Sequence, residues 1–392
     1  MNRWSFHQPA RPGPYHPVTG EGRRPVFSFW SLPLWNPTSL SQRATHLWRI
    51  LLLCLCLIQI GTGQEFIGPH GFLTLEAEIS NRDSVGRRGT FDLHHFNIFG
   101  NYLINSKARV FGEIEWEHGA DLEPGENNKP AAGFVRLERA WFEYRFSNYV
   151  TLRLGKFLTP YGIYNEIHDA APAYDTSILP ESLYGKHPNN SFGGERQRFY
   201  AKFSIGVQLL GTLERKDAQL QYQLFLVNGR GKNPFEQDDN SDKGIGLRLL
   251  GEFQRVKVGY SLYTDRNGLF RNTRQTSHAV DLRLEFNHWR LNSEFAHTRL
   301  GSGSTSLPTQ VANGGYVEFA YYLFSKQTVL IRYDVIDPDN RFGGDFQRDI
   351  VIGTSVQFIK DALVKGEVHF WHQEDAPRKD FVLAIASLAV VF

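Results

Sequence analysis

From Gly71 to Phe392 the chain repeats one theme, a stretch of about ten residues with apolar side chains at every second position and then a connection. Leu73, Leu75, Ala77 and Ile79 alternate with Thr74, Glu76 and Glu78, and Val110, Gly112, Ile114 and Trp116 alternate with Arg109, Glu113 and Glu115. Successive side chains of a strand point to opposite faces, so each stretch predicts a strand with one greasy face and one charged face. The alternation returns at Ala140 to Phe146, Val150 to Leu154, Leu220 to Leu226, Val256 to Leu262, Val280 to Phe286, Val317 to Leu323, Val329 to Val335 and Ala362 to Phe370, and the last stretch runs into Phe392. With the less regular stretches at Phe91, Phe199, Gly244, Trp289 and Asp349 there are sixteen, an even number that suits a closed antiparallel barrel.

The connections alternate in length. Short ones fall at Asn105, Ser147, Arg215, Gln254, Asn287, Ser325 and Lys360, and long ones span 119–133, 159–198, 229–243, 266–276, 301–313 and 338–348. Short turns at one end and long loops at the other are the layout of a transmembrane barrel, with the turns periplasmic and the loops outside. A soluble β-sandwich fails on the charged face, because an inner sheet carrying Arg139, Glu143, Arg145 and Arg153 would have to desolvate them. A wet lumen removes that cost. Tyr and Trp near stretch ends (Tyr102, Trp141, Tyr144, Tyr149, Tyr263, Trp289, Tyr316, Tyr322 and Trp371) are candidates for aromatic girdles at the two headgroup levels.

Composition adds the route to the membrane. The chain has 392 residues and is 14% aromatic, and no apolar run approaches the roughly 20 residues that a spanning helix needs. The longest such run, Ile50 to Ile60, follows Arg43 and Arg49 and ends in Gly61, Thr62 and Gly63, the form of a Sec-type signal peptide over 46–63 cleaved near Gln64. Residues 1–45 lack apolar periodicity and read as an unstructured extension or a mis-assigned start, which leaves 64–392 as the barrel. Cys54 and Cys56 both lie in the leader, so the exported part carries no thiol into the oxidising periplasm. Of the 43 basic residues six precede residue 64, and of the 41 acidic residues one does, leaving the barrel at −3 with no sign of a nucleic-acid partner.

The 159–198 connection is far longer than the usual loop of about five residues, and its prolines and tyrosines predict an ordered segment. As the third outer loop, folded into the lumen, it would narrow the channel and set selection by size and charge. Candidate pore-lining residues are Glu113, Glu115, Arg139, Glu143, Arg145, Arg153, Lys156, Lys186, Arg196, Arg198, Arg248, Arg283 and Arg332. For each of them a structural ion pair on the lumen wall is the simpler alternative. Asp238, Asn240 and Asp242 begin like a calcium loop, but Lys243 stands at the turn position that needs Gly. His94 and His95 are adjacent, so on a regular strand they point to opposite faces and cannot chelate together. No HExxH or GxSxG motif occurs, and no metal or cofactor is expected.

Three blocks resemble the family of phosphate-selective porins of the O and P type: HHFNIFGNYLINSKARVFGEIEWEHG from His94, RLERAWFEYRFSNYVTLRLGKFLTPYG from Arg136 and LFLVNGRGKNP from Leu224. The resemblance implies a sixteen-stranded, trimeric porin that passes small anions. Lysines in the constriction are tied to phosphate preference in that family, and from Ala108 through Arg198 this chain has only Lys129, Lys156 and Lys186. The terminal Phe392, at the end of an alternating run, resembles the signal read by the barrel-assembly machinery. The function expected is passive diffusion of small hydrophilic solutes or ions across the bacterial outer membrane, by a homotrimer seated in its lipid. The alternatives are an occluded structural or surface-interaction barrel, and an outer-membrane hydrolase using Ser191 with His187 or His168.

Overall fold

The computed structural model describes residues 65–83, 86–119, 133–167, 171–186, 198–231, 235, 238, 240–267, 273–301 and 309–392. The extension and leader expected over 1–63 lie outside these, as do Arg196, His168, His187 and Ser191. Among the described residues the chain forms sixteen strands. The first eight are β1 (Glu65–Ser80), β2 (Thr90–Leu103), β3 (Ala108–Glu117), β4 (Phe134–Arg145), β5 (Thr151–Leu158), β6 (Phe203–Arg215), β7 (Ala218–Val227) and β8 (Gly244–Phe253). The other eight are β9 (Val256–Asn267), β10 (Thr273–Glu285), β11 (Trp289–Gly301), β12 (Gln310–Phe324), β13 (Gln327–Asp337), β14 (Gln347–Ile359), β15 (Ala362–Gln373) and β16 (Asp380–Val391). Each pairs antiparallel with its chain neighbours, and β1 pairs with β16 to close the ring.

Closure removes the two free sheet edges, which in a bilayer would carry unsatisfied backbone groups. At the seam Gly71 and Phe392 exchange two backbone hydrogen bonds, 2.8 and 2.9 Å. The strand faces divide as the alternation predicts. On β13 the outward Ile331 is 51% exposed while its neighbour Arg332 is 1% exposed, so the apolar side chains coat the outside and the charged ones turn in. Among the girdle candidates, Trp141, Tyr263, Tyr316 and Trp371 are instead buried on the inside, where they fall on the inward parity of their strands. β1 also begins earlier than the alternation suggests, since Glu65 through Ile67 already pair with β2.

Candidate functional site: the lumen and the loop that crosses it

The connection between β5 and β6 is held at its neck. Thr159 Oγ1 and Ser204 Oγ are hydrogen-bonded at 2.7 Å, and the Asn165 amide donates to the carbonyls of Thr159 (2.7 Å) and Lys202 (3.1 Å), tying the two legs together. Beyond the neck the chain reaches the inward side chains of distant strands. Gly162 N–H donates to Ser261 on β9, Tyr161 shares a hydrogen bond with Ser277 on β10, and Ile163 N–H and Tyr184 O–H both donate to Glu294 on β11. The single helical turn α1 (Glu181–Tyr184) points the Ser182 N–H at Asp334 on β13.

The middle of the loop is fastened further round the ring. Asp175 accepts from Arg290 on β11 (2.8 Å) and from Ser355 on β14 (2.5 Å). The backbone N–H groups of Ser177 and Ile178 donate to Glu367 on β15, and Lys365 Nζ donates to the carbonyls of Ala171 and Thr176. These partners all lie on the inner face, and Ser177 also shares a hydrogen bond with Ser387 on β16, so the described loop segments run inside the ring against β9 through β16. Small residues make the room. Ala279, Ala296 and Ala312 are buried under Tyr161, Tyr164, Leu183 and Tyr184, and a Cβ at Gly314 would stand 2.7 Å from the Ser182 carbonyl oxygen.

The wall formed by β3, β4 and β5 carries a different surface. Glu113 pairs with Arg139, Glu115 with Arg136 (2.7 Å), and Glu143 with both Arg109 (2.7 Å) and Arg153 (2.8 Å). In every pair the guanidinium covers the carboxylate. Arg109, Arg136 and Arg139 side chains are 37, 26 and 27% exposed, whereas Glu143, Glu115 and Glu113 are at 5% or less. Arg109 and Arg153 also lie over the ring of Trp141, which is stacked on Phe111 and holds the row flat against the wall. Toward the short turns, a cavity of about 410 Å³ is lined by Arg109, Glu143, Arg145, Arg153 and Glu166.

Three sequence candidates need correction. Lys156 pairs across the ladder with Ala140 and Ile205, on the outward row of β5, and its Nζ lies over the rings of Phe203 and Phe235 and donates to the Leu137 carbonyl; the lumen side of that strand is held by Arg153 and Phe157. Arg332 and Arg248 do face inward but do not line a water path, being 1 and 3% exposed. Arg332 donates to Thr176 Oγ1 and the Ile178 carbonyl as a loop anchor, and Arg248 is paired with Asp281. Arg283 stands 3.7 Å from the same Asp281 and borders a cavity of about 370 Å³ with Arg290 and Lys257. Lys186 and Arg198 lie on the loop, where partial desolvation and the like charges of Arg198, Lys202 and Arg136 pull the Lys186 pKa below the usual lysine range.

The alternation put Arg109 on the charged face with Glu113 without marking it as a pore-lining candidate, and it gave no signal for Lys202. It also misplaced His94 and His95, because a bulge in β2 pairs Thr74 with His95 and Leu75 with Leu93, leaving His94 as the extra residue. The two imidazoles stack 4.0 Å apart instead of pointing to opposite faces.

The fold is shared with known outer-membrane proteins of low sequence identity. An anion-selective porin from Comamonas acidovorans superposes with a TM-score of 0.61 at 12% identity, covering 84% of this chain and all of that one. A loop-deletion variant of OmpT, an outer membrane protein of Vibrio cholerae, gives 0.59 at 13% (84 and 99% covered), and the outer membrane channel DcaP of Acinetobacter baumannii gives 0.57 at 10% (84 and 98%). An uncharacterized protein of Aquifex aeolicus (strain VF5) is 32% identical over 114 residues, 29% of this chain and 24% of that one, so the chain spans about a quarter of that relative's length. Residues 103–348 match the family model of the phosphate-selective porins O and P, and with the closed sixteen-strand ring around them the chain belongs to that family.

Proposed function

We propose that the protein is a passive channel of the bacterial outer membrane, in which small hydrophilic solutes cross between the inward loop and the β3–β5 wall, and that anions such as phosphate are favoured. The observation that carries this reading is the layering of the wall: five arginines (109, 136, 139, 145, 153) and five glutamates (113, 115, 117, 138, 143) cancel in formal charge, yet the guanidinium edges face the lumen and the carboxylates lie beneath them. A solute meets the field of the nearer group, and low-dielectric walls focus it. Lys186, Arg198 and Lys202 add positive charge from the loop side. Selection by exposed arginine, with Lys156 outside the lumen, makes phosphate one anion among several for this pore.

Export behind the 46–63 leader, recognition of Phe392 by the assembly machinery and trimer formation complete the proposal; a trimer form is described for OmpT of Vibrio cholerae, a fold neighbour. Family membership favours a channel over the hydrolase. The test is planar-bilayer conductance of the folded barrel in a salt gradient. Stable open steps with an anion-signed reversal potential, reduced in Arg109→Gln/Arg139→Gln, support the reading, and a correctly folded barrel without conductance shifts it to the occluded alternative.

A further inference from the structure

At the end of β1–β3 that carries the long connections, the β2 bulge gathers an imidazole and carboxylate cluster to which the pore has no need. The rings of His95, His94 and His118 form a continuous stack, with centroids 4.0 and 5.0 Å apart. His94 Nδ1–H donates to Glu76 Oε2 at 2.8 Å, and His118 Nδ1–H donates to Asp92 Oδ2 at 2.7 Å. An ionised carboxylate only accepts, so each contact places the ring proton on Nδ1 and the lone pair on Nε2. A carboxylate behind a histidine is how proteins orient and strengthen an imidazole that binds a metal through its other nitrogen.

Glu117 places a further carboxylate beside the stack. Glu117 Oε1 stands 3.6 Å from His118 Nε2, while its other oxygen is held by Arg136. Donor atoms of Asp92, His94 and His118 come within 4.8 Å of one another, and so do those of His94, His95 and Glu117, so two overlapping triads share His94. Imidazole with carboxylate suits zinc, nickel or copper rather than magnesium or calcium.

We infer that this cluster binds a divalent transition-metal ion through Asp92, His94 and His118, with Glu76 as the carboxylate that orients the His94 ring. A dication there would offset the negative charge of Glu76, Asp92 and Glu117 at the long-loop end of the lumen, so occupancy would add to the positive field met by an entering solute. The inference does not depend on conduction.

Binding of ZnCl2 and of NiCl2 to the folded barrel in detergent at pH 7.5, followed by calorimetry with circular dichroism as the fold control, decides it. The expected result is one equivalent bound, weakened at least tenfold in His94→Gln and in His118→Gln and about 10–100-fold in Glu76→Gln, with His372→Gln unchanged because that histidine is paired with Asp380 on β15 and β16. His118 is half exposed at the rim, so its variant keeps the test open if the His94 variant fails to fold. Absence of binding to the unmodified barrel, or full affinity in a folded His118→Gln, overturns the assignment.

Discussion

Arg332 shows how a charge on the inner wall can serve the loop instead of the solute. It is fully buried between Glu318 at 3.6 Å and the Thr176–Ile178 segment, so Arg332→Ala takes the countercharge from buried Asp334 and leaves Glu318 with Arg290 alone. Loss of one partner from a buried ion pair costs about 3–5 kcal/mol. We expect a lower urea midpoint together with flickering open-channel current as the loop comes loose, measured on the same preparation. Asp345, in the connection between β13 and β14, makes the opposite point. Its Oδ2 is buried without a hydrogen-bond partner, and burial, then the carboxylates of Asp337 and Asp339, push its pKa up to about 6. Because the folded pKa exceeds the unfolded value near 3.9, the folded state holds the extra proton between the two, and stability is lost as pH rises from about 4 to about 6. Asp345→Asn should therefore raise the thermal midpoint at pH 7.5 and leave it unchanged at pH 3.5.

Each strand serves two media, and its two faces tolerate different substitutions. The outward Ile331 is half exposed among Val329, Tyr333 and Ile352, the side chains that would contact acyl chains. An arginine near the bilayer midplane costs roughly 2–4 kcal/mol. Ile331→Arg should lower the unfolding free energy in phospholipid vesicles by that amount, whereas Ile331→Leu should lower it by less than about 1.5 kcal/mol. The loop is the other decisive element. It is ordered by contacts spread over β7 and β9 through β16, so no single deletion frees it, but Gly314→Leu drives a side chain against Ser182 and should push α1 off β12. Single-channel conductance that changes in Gly314→Leu and not in Gly366→Ala, where an added Cβ meets nothing within 4 Å, would place α1 at the narrowing; identical currents would remove it from the conducting path.

The molecule as a whole depends on one seam. Among the described residues all other strand pairs are neighbours in sequence, and only β1 with β16 joins residues some 300 apart, from Phe72 with Val391 to Ser80 with Leu383. Phe392 finishes that seam through its two bonds to Gly71 and a stacked contact with Phe96, ring centroids 5.8 Å apart. Removal of Phe392 forfeits the two bonds, about 0.5–1.5 kcal/mol each. Refolding into detergent should then give a smaller heat-resistant folded fraction on electrophoresis, with the spectrum of the folded part unchanged.

How much of this was legible beforehand follows from the range of each interaction. Alternation of side chains is local, so Val110 to Trp116 or Val329 to Val335 declared strand, face and medium without reference to anything distant, and the even count with short and long connections implied closure. Arginine and glutamate at the same parity, such as Arg139 and Glu143, were readable as inner-wall charges for the same reason. Which of them meets solvent was not readable, because Arg332 and Arg139 have the same local signature and differ only in whether residues some 150 positions away are folded over them. Lys156 failed on parity against the glycine-containing end of β5, and His94 with His95 failed because one bulge shifts every following side chain to the other face. The sequence by itself determined a membrane barrel with a charged interior, since that rests on a period of two repeated sixteen times. Only the tertiary structure decided the inward course of the long loop, the guanidinium layer on β3–β5 and the histidine stack, since each depends on contacts between strands that no local pattern encodes.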